Sequence, residues 1–265
     1  MLLVKRELKG GLKSFIIWTV CIIALAGMFM AMYPSFAEQG DAVNKLLEGF
    51  SPQMMEMFGF NAVDFTQTMD YYGYVFQYIL LAVLIQFMLV GANLLSKEED
   101  AGTINFLYAK PVSRASITAS RFLAGLAQIA AFYIVYTGAM LAILYAVDQT
   151  GVDAGTVLLL SSAMALGQLM MMGVGMLLGT VIIRARSVMS AAIGVVLLLY
   201  VASMVVNMQP DLSWLKYATP FQYFDARQII SGVAIETKYI LLPIAVAIAA
   251  FGGTLAIYNG KDLKC

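Results

Sequence analysis

Long apolar runs alternate with short polar ones along this chain. Six runs, Ser14 to Tyr33, Tyr74 to Leu95, Phe122 to Val147, Thr156 to Ile183, Val188 to Met208 and Tyr239 to Tyr258, contain no Asp, Glu, Lys or Arg. A helix rises about 1.5 Å per residue, so about 20 apolar residues cross the roughly 30 Å hydrocarbon layer of a bilayer. Within lipid a lone span satisfies its own backbone hydrogen bonds only as a helix. The pattern therefore predicts an all-α membrane protein with six transmembrane helices. The chain reads as a single membrane domain over 1–265, with no linker, tandem repeat or low-complexity tract.

The polar intervals carry shorter signals. In residues 1–13, Val4, Leu8 and Leu12 share a face with Phe15 while Lys5, Lys9 and Lys13 line another. That spacing predicts an amino-terminal interfacial helix on the inner leaflet, or a basic flank that fixes topology. Between the first two spans, Val43, Leu46, Leu47 and Phe50 recur at helical spacing. Ser51-Pro52 then supplies a cap and a first-turn proline for a second short helix through Phe58, closed by Gly59. In the interval 96–121, Ser96 with Glu99, and then Asp100, offer helix caps. Ile104, Leu107 and Tyr108 form an apolar face, Pro111 stops the helix, and Ser113 caps the third span. So short a helix is marginal in water and needs a surface to pack on. The interval reads as a docking segment or as a charged connector that enforces topology.

Composition agrees: 61% of residues are apolar and 12% charged. An even number of spans puts both termini on one side. Twelve of the basic residues lie on the face bearing the termini, from Lys5, Arg6, Lys9 and Lys13 through Lys97, Lys110, Arg114, Arg121, Arg184 and Arg186 to Lys261 and Lys264; opposite lie Lys45, Lys216, Arg227 and Lys238. The positive-inside rule makes the termini cytoplasmic. The first apolar run is too long for a cleaved signal peptide, and cleavage would break this asymmetry. Cys21 in the first span and Cys265 at the terminus cannot pair.

The chemistry of a catalyst is missing. The chain has no histidine and no cysteine pair, so no catalytic residues and no metal site are expected. Met54, Met55, Met57 and Met170 to Met172 suggest a copper path only weakly, because thioethers also serve as adaptable packing. The spans lack the charged residues of ion relays, and no phosphate-binding loop occurs, so a chain of this kind would need a partner to supply energy if it transports anything. Polar residues inside apolar spans are the best guide to a pathway. Gln86 and Asn93 share a face of the second span, and Tyr200, Ser203 and Asn207 share one of the fifth. Their alternative role is hydrogen bonding between helices. Ala163, Gly167, Gly175 and Gly179 in the fourth span have small-residue spacing suited to close helix packing, within the subunit or between subunits. Around Pro220, the aromatics Trp214, Tyr217, Phe221, Tyr223 and Phe224 read first as interface anchors.

The run Glu98, Glu99, Gly102, Thr103, Pro111, Val112, Ser113, Arg114 resembles the E-x-x-x-G-T and P-V-S-R pattern in the first cytoplasmic loop of type 2 ATP-binding-cassette (ABC) exporter permeases. The stretch WLKYATPFQYF, Trp214 to Phe224, is similar to the Pro-Phe segment before their last span. Arg121 departs from the lysine more usual there and keeps the charge. The resemblance spans the whole chain and implies a homodimer in the bacterial cytoplasmic membrane, bound to two copies of a cytoplasmic ATPase that holds ATP and Mg. It further implies that 96–121 is the coupling loop, with Glu98, Glu99, Gly102, Thr103, Ile104, Leu107, Tyr108, Pro111 and Arg114 touching the ATPase, and that the amino-terminal helix touches it too. Closure of the ATPases would switch the membrane dimer from inward-facing to outward-facing. Exporters of this kind move amphipathic or antimicrobial peptides, antibiotics or lipid-like molecules. The competing readings are an ion-coupled secondary transporter, a non-transporting membrane scaffold and, more remotely, a membrane enzyme.

Overall fold

A computed structural model describes residues 2–40, 45, 49–60, 63–100, 114–182, 185–233 and 235–260. Among them every regular element is helical. The long helices are α1 (Leu2–Glu38), α3 (Thr68–Asp100), α4 (Arg114–Val147), α5 (Ala154–Val181), α6 (Ala185–Met208) and α9 (Thr237–Gly260). Each of the six contains a segment long and apolar enough to cross a membrane. The short ones are α2 (Pro52–Phe58), a 3-10 turn over Pro210–Tyr217, α7 (Pro220–Tyr223) and α8 (Ala226–Ile230).

The helices sort by burial. In α3 and α5, 61% of the most apolar window is buried, against 22% in α1, α6 and α9. The outward faces carry Ile17, Val20, Ile134, Leu198 and Ile248, all at least half exposed. In water that surface would drive aggregation; in a bilayer it faces acyl chains. The central pair runs parallel and makes the most extensive contact in the molecule. Glycine is the reason. A Cβ on Gly175 would lie 2.2 Å from the Met88 carbonyl oxygen, one on Gly179 2.5 Å from that of Ala92, and one on Gly91 2.1 Å from that of Met172. No side chain fits, so the two backbones touch. The small-residue stripe of the fourth span thus packs within the subunit. On another face of α5, Gly173 receives Ala247 of α9 in the same manner. Helices α1 and α4 form a second parallel pair, with Gly27 against Ile143 and Gly11 against Gln128.

Local chemistry sets the helix ends. Ser51 accepts a hydrogen bond from the Met54 amide, Pro52 opens α2, and Gly59 at φ 76° ends it. Asp153 caps α5, accepting from Gly155 N at 3.0 Å and Thr156 N at 3.2 Å. Asp148, just past α4, accepts from Thr68 Oγ1 at 2.5 Å and from Thr150 N at 2.9 Å, tying the start of α3 to the α4–α5 turn.

Several expectations from the sequence change. Residues 2–13 are helical, but they continue into the first span as one helix rather than forming a separate element. Ser96 does not begin a helix: α3 runs on through Asp100, because Lys97, Glu98 and Glu99 are good helix formers and no Gly or Pro interrupts them. Arg121 is not in a loop. It lies two turns into α4, is 1% exposed, and its Nε sits 3.7 Å from Glu7 Oε1. A charged pair therefore does lie inside the helical bundle, where the sequence suggested none.

Candidate functional site

Two cavities lie at opposite ends of the bundle. The larger, about 340 Å³, is at the end carrying the amino terminus, between α1, α3, α4 and α6. Its floor is the stripe Gln86, Leu89, Val90 and Asn93 of α3, residues that a 100° helical step brings onto one face. The stripe Leu84, Met88, Gly91 and Ala92 faces α5, so α3 is clamped on one side and offers its polar side to the cavity. One wall is α1, with Gly10, Gly11, Phe15 and Trp18; Gln128 enters from α4 and Met189 from α6. Glu7 closes the terminal end, held by the buried guanidinium of Arg121.

The carboxamides here are under-used. Both polar atoms of Gln86, which is 1% exposed, and Oε1 of Gln128 are buried with no hydrogen-bond partner among the described residues. Leaving a buried polar group unmatched costs about 1–3 kcal/mol. Such groups point to an occupant.

The smaller cavity, about 60 Å³, is at the far end, lined by Tyr74, Tyr78, Tyr200, Ser203, Asn207 and Gln222 among others. Residues 220–230 build it by turning back into the bundle. Phe224 reaches Gly167, the midpoint of α5, where a Cβ would lie 4.0 Å from its ring. Ile230 and Ala226 fill the space above Gly73. Phe221, Tyr223 and Phe224 are therefore core residues rather than interface anchors, whereas Trp214 and Tyr217 are exposed. Gln222 Nε2 donates to Asn207 Oδ1 at 2.7 Å and to the Ser203 carbonyl at 3.0 Å. Ser203 Oγ donates to the Tyr200 carbonyl at 2.7 Å.

The polar residues singled out in the sequence thus fall into two groups. Gln86 and Asn93 line the large cavity, and Tyr200, Ser203 and Asn207 line the small one, where Asn207 also holds the returning segment. Of the residues that the resemblance assigns to a coupling loop, Gly102, Thr103, Ile104, Leu107, Tyr108 and Pro111 lie outside the described residues. Glu98 and Glu99 fall in the last turn of α3 and Arg114 opens α4, with their side chains outside the description. Sequence reasoning missed Gln128 and Gln168, each a lone amide in an apolar span and each buried with an oxygen that has no partner among the described residues. The rule that selected Gln86 would have found both. Glu7 and Arg121 escaped because the spans were drawn to begin after them.

A family model described as ABC-2 family transporter protein matches residues 1–263. None of the curated proteins matches the chain. With six membrane-crossing helices and a family match from end to end, the chain belongs to the ABC-2 family of transporter proteins and is the membrane-spanning permease subunit of an ABC transporter.

Proposed function

We propose that this permease is a homodimeric exporter, driven by two copies of a separate cytoplasmic ATPase that binds ATP and Mg, with both termini on the cytoplasmic face of a bacterial cytoplasmic membrane. The observation that carries the reading is the large cavity at the end that bears the amino terminus, whose lining mixes polar side chains (Glu7, Ser14, Gln86, Asn93 and Gln128) with apolar ones (Phe15, Trp18, Leu89 and Leu94). That is where an inward-facing exporter accepts cargo. Gln86 and Asn93 line the intake, and the Tyr200, Ser203 and Asn207 face lines the exit, where Gln222 of residues 220–230 bonds Asn207. Glu98 to Arg114 seat on the ATPase, and their displacement moves α4. Arg121 and Glu7 carry that motion to α1, the cavity wall. The mixed lining suits an amphipathic or antimicrobial peptide or a lipid-like small molecule.

Proteoliposomes test this. The permease alone should neither hydrolyse ATP nor move an amphipathic peptide when a proton or sodium gradient is imposed, and the complex with its ATPase should hydrolyse ATP and move the peptide without an ion gradient. Gradient-driven flux by the isolated chain would overturn the proposal.

A further inference from the structure

We propose that the large cavity selects uncharged, amide-bearing cargo, an extended apolar peptide segment, through the paired donor and acceptor of Gln86 and the acceptor of Gln128. The proposal rests on reading that cavity as the pathway. Glu7 is the one ionisable side chain among the described residues that line it, and its charge is answered by Arg121 at 3.7 Å. A bare phosphate or ammonium brought inside would find no free counter-charge, and burying an unpaired ion is far costlier than burying an amide. What the site does offer is carboxamide. Gln86 and Gln128 line it, and Gln86 Nε2 and Oε1 and Gln128 Oε1 have no hydrogen-bond partner among the described residues. A backbone peptide unit returns an N–H and a C=O together, the complement of one carboxamide. Phe15, Trp18, Leu89 and Leu94 then receive apolar side chains, and a volume of about 340 Å³ holds a short segment.

The chain supplies its own reporter. It has two tryptophans, Trp18 in the cavity and Trp214 exposed at the far end, so Trp214→Phe leaves Trp18 as the sole emitter. In lipid nanodiscs, emission is followed while titrating N-acetyl-trileucine amide, or its analogue with one amide replaced by an ester, which lacks that N–H. The amide should bind about tenfold more tightly, the ratio that about 1.4 kcal/mol produces. Gln86→Leu should bring the ratio close to one while the protein stays folded, since it removes an unpaired buried group. Gln128→Leu should weaken the amide ligand independently.

Equal affinities in the parent protein, a ratio unchanged in Gln86→Leu, or no response of Trp18 to either ligand would each overturn the amide preference. Failure of the pathway reading looks different. There the ligands would bind with the predicted ratio, yet ATP-driven transport by the complex would be unaffected by Gln86→Leu and Gln128→Leu.

Discussion

Replacing Gly175 by alanine adds one methyl group where the backbones of α3 and α5 meet. The new Cβ would lie 2.2 Å from the Met88 carbonyl oxygen and 3.0 Å from the Ala92 amide nitrogen. Carbon and carbonyl oxygen approach to about 3.3 Å at closest, so the backbones must part by about 1 Å. A gap of that order forfeits up to half of the dispersion energy at each contact it opens. Overpacking of this kind costs about 1–3 kcal/mol, against which the helix gains about 0.5–1 kcal/mol on losing a glycine. The net expectation is a loss of about 1–2 kcal/mol. The same change at Gly138 or Gly252, where nothing lies within 4 Å of the added carbon, should be neutral or stabilising. At Gly125 the carbon meets the thioether of Met172, which swings aside, so the cost should fall between. Thermal midpoints of the purified variants in one detergent give the ranking, at about 2–4 °C per kcal/mol. If Gly175→Ala and Gly91→Ala melt as high as Gly252→Ala, the backbone contact between α3 and α5 is not what holds the bundle together.

Glu7→Gln should lower the melting midpoint clearly, because it removes the carboxylate beside the buried Arg121, while Lys5→Gln on the exposed face should do little; the double exchange Glu7→Arg, Arg121→Glu should recover part of the loss. Gln222→Leu and Asn207→Leu should each loosen residues 220–230, read as faster protease cleavage there, and should not be additive because they break the same 2.7 Å hydrogen bond. The Thr68 hydroxyl, with the Thr150 and Gly151 amides, lowers the Asp148 carboxyl to about 2. A depressed acid contributes stability above its unfolded value near 4 and loses it as pH falls toward 2, so midpoint scans of Asp148→Asn and the parent should run parallel from pH 5 to 8 and converge only below about 4.

The spans were legible in the sequence because the bilayer imposes a coarse rule, long uncharged runs, that needs no partner to read. Ser51, Pro52 and Gly59 were legible for the opposite reason: capping is local chemistry within one turn. What composition concealed was which helices touch. The packing of Gly91 against Met172 joins residues 81 apart, and nothing near Gly91 in the sequence marks it. Arg121 looked like a loop charge since only tertiary structure brings Glu7 to it. The polar stripes were found, but spacing along one helix gives no depth, so Gln86 with Asn93 and Tyr200 with Asn207 read as one pathway although they line opposite ends. The aromatics around Pro220 were misread because a segment that turns back into the bundle has the same composition as an interfacial anchor.

The central claim is the proposal that the chain is driven by a separate ATPase seated on residues 98–114. Purifying it from its native membrane in mild detergent, in parent form and as Leu107→Asp, tests this most directly. The account predicts that the parent brings down a soluble protein bearing a GxxxxGK[ST] loop in one-to-one ratio, with ATP hydrolysis in the eluate. Leu107→Asp should lose both while melting at the parent temperature. A parent chain that purifies with no nucleotide-binding protein, or a Leu107→Asp variant that retains it undiminished, would contradict the account.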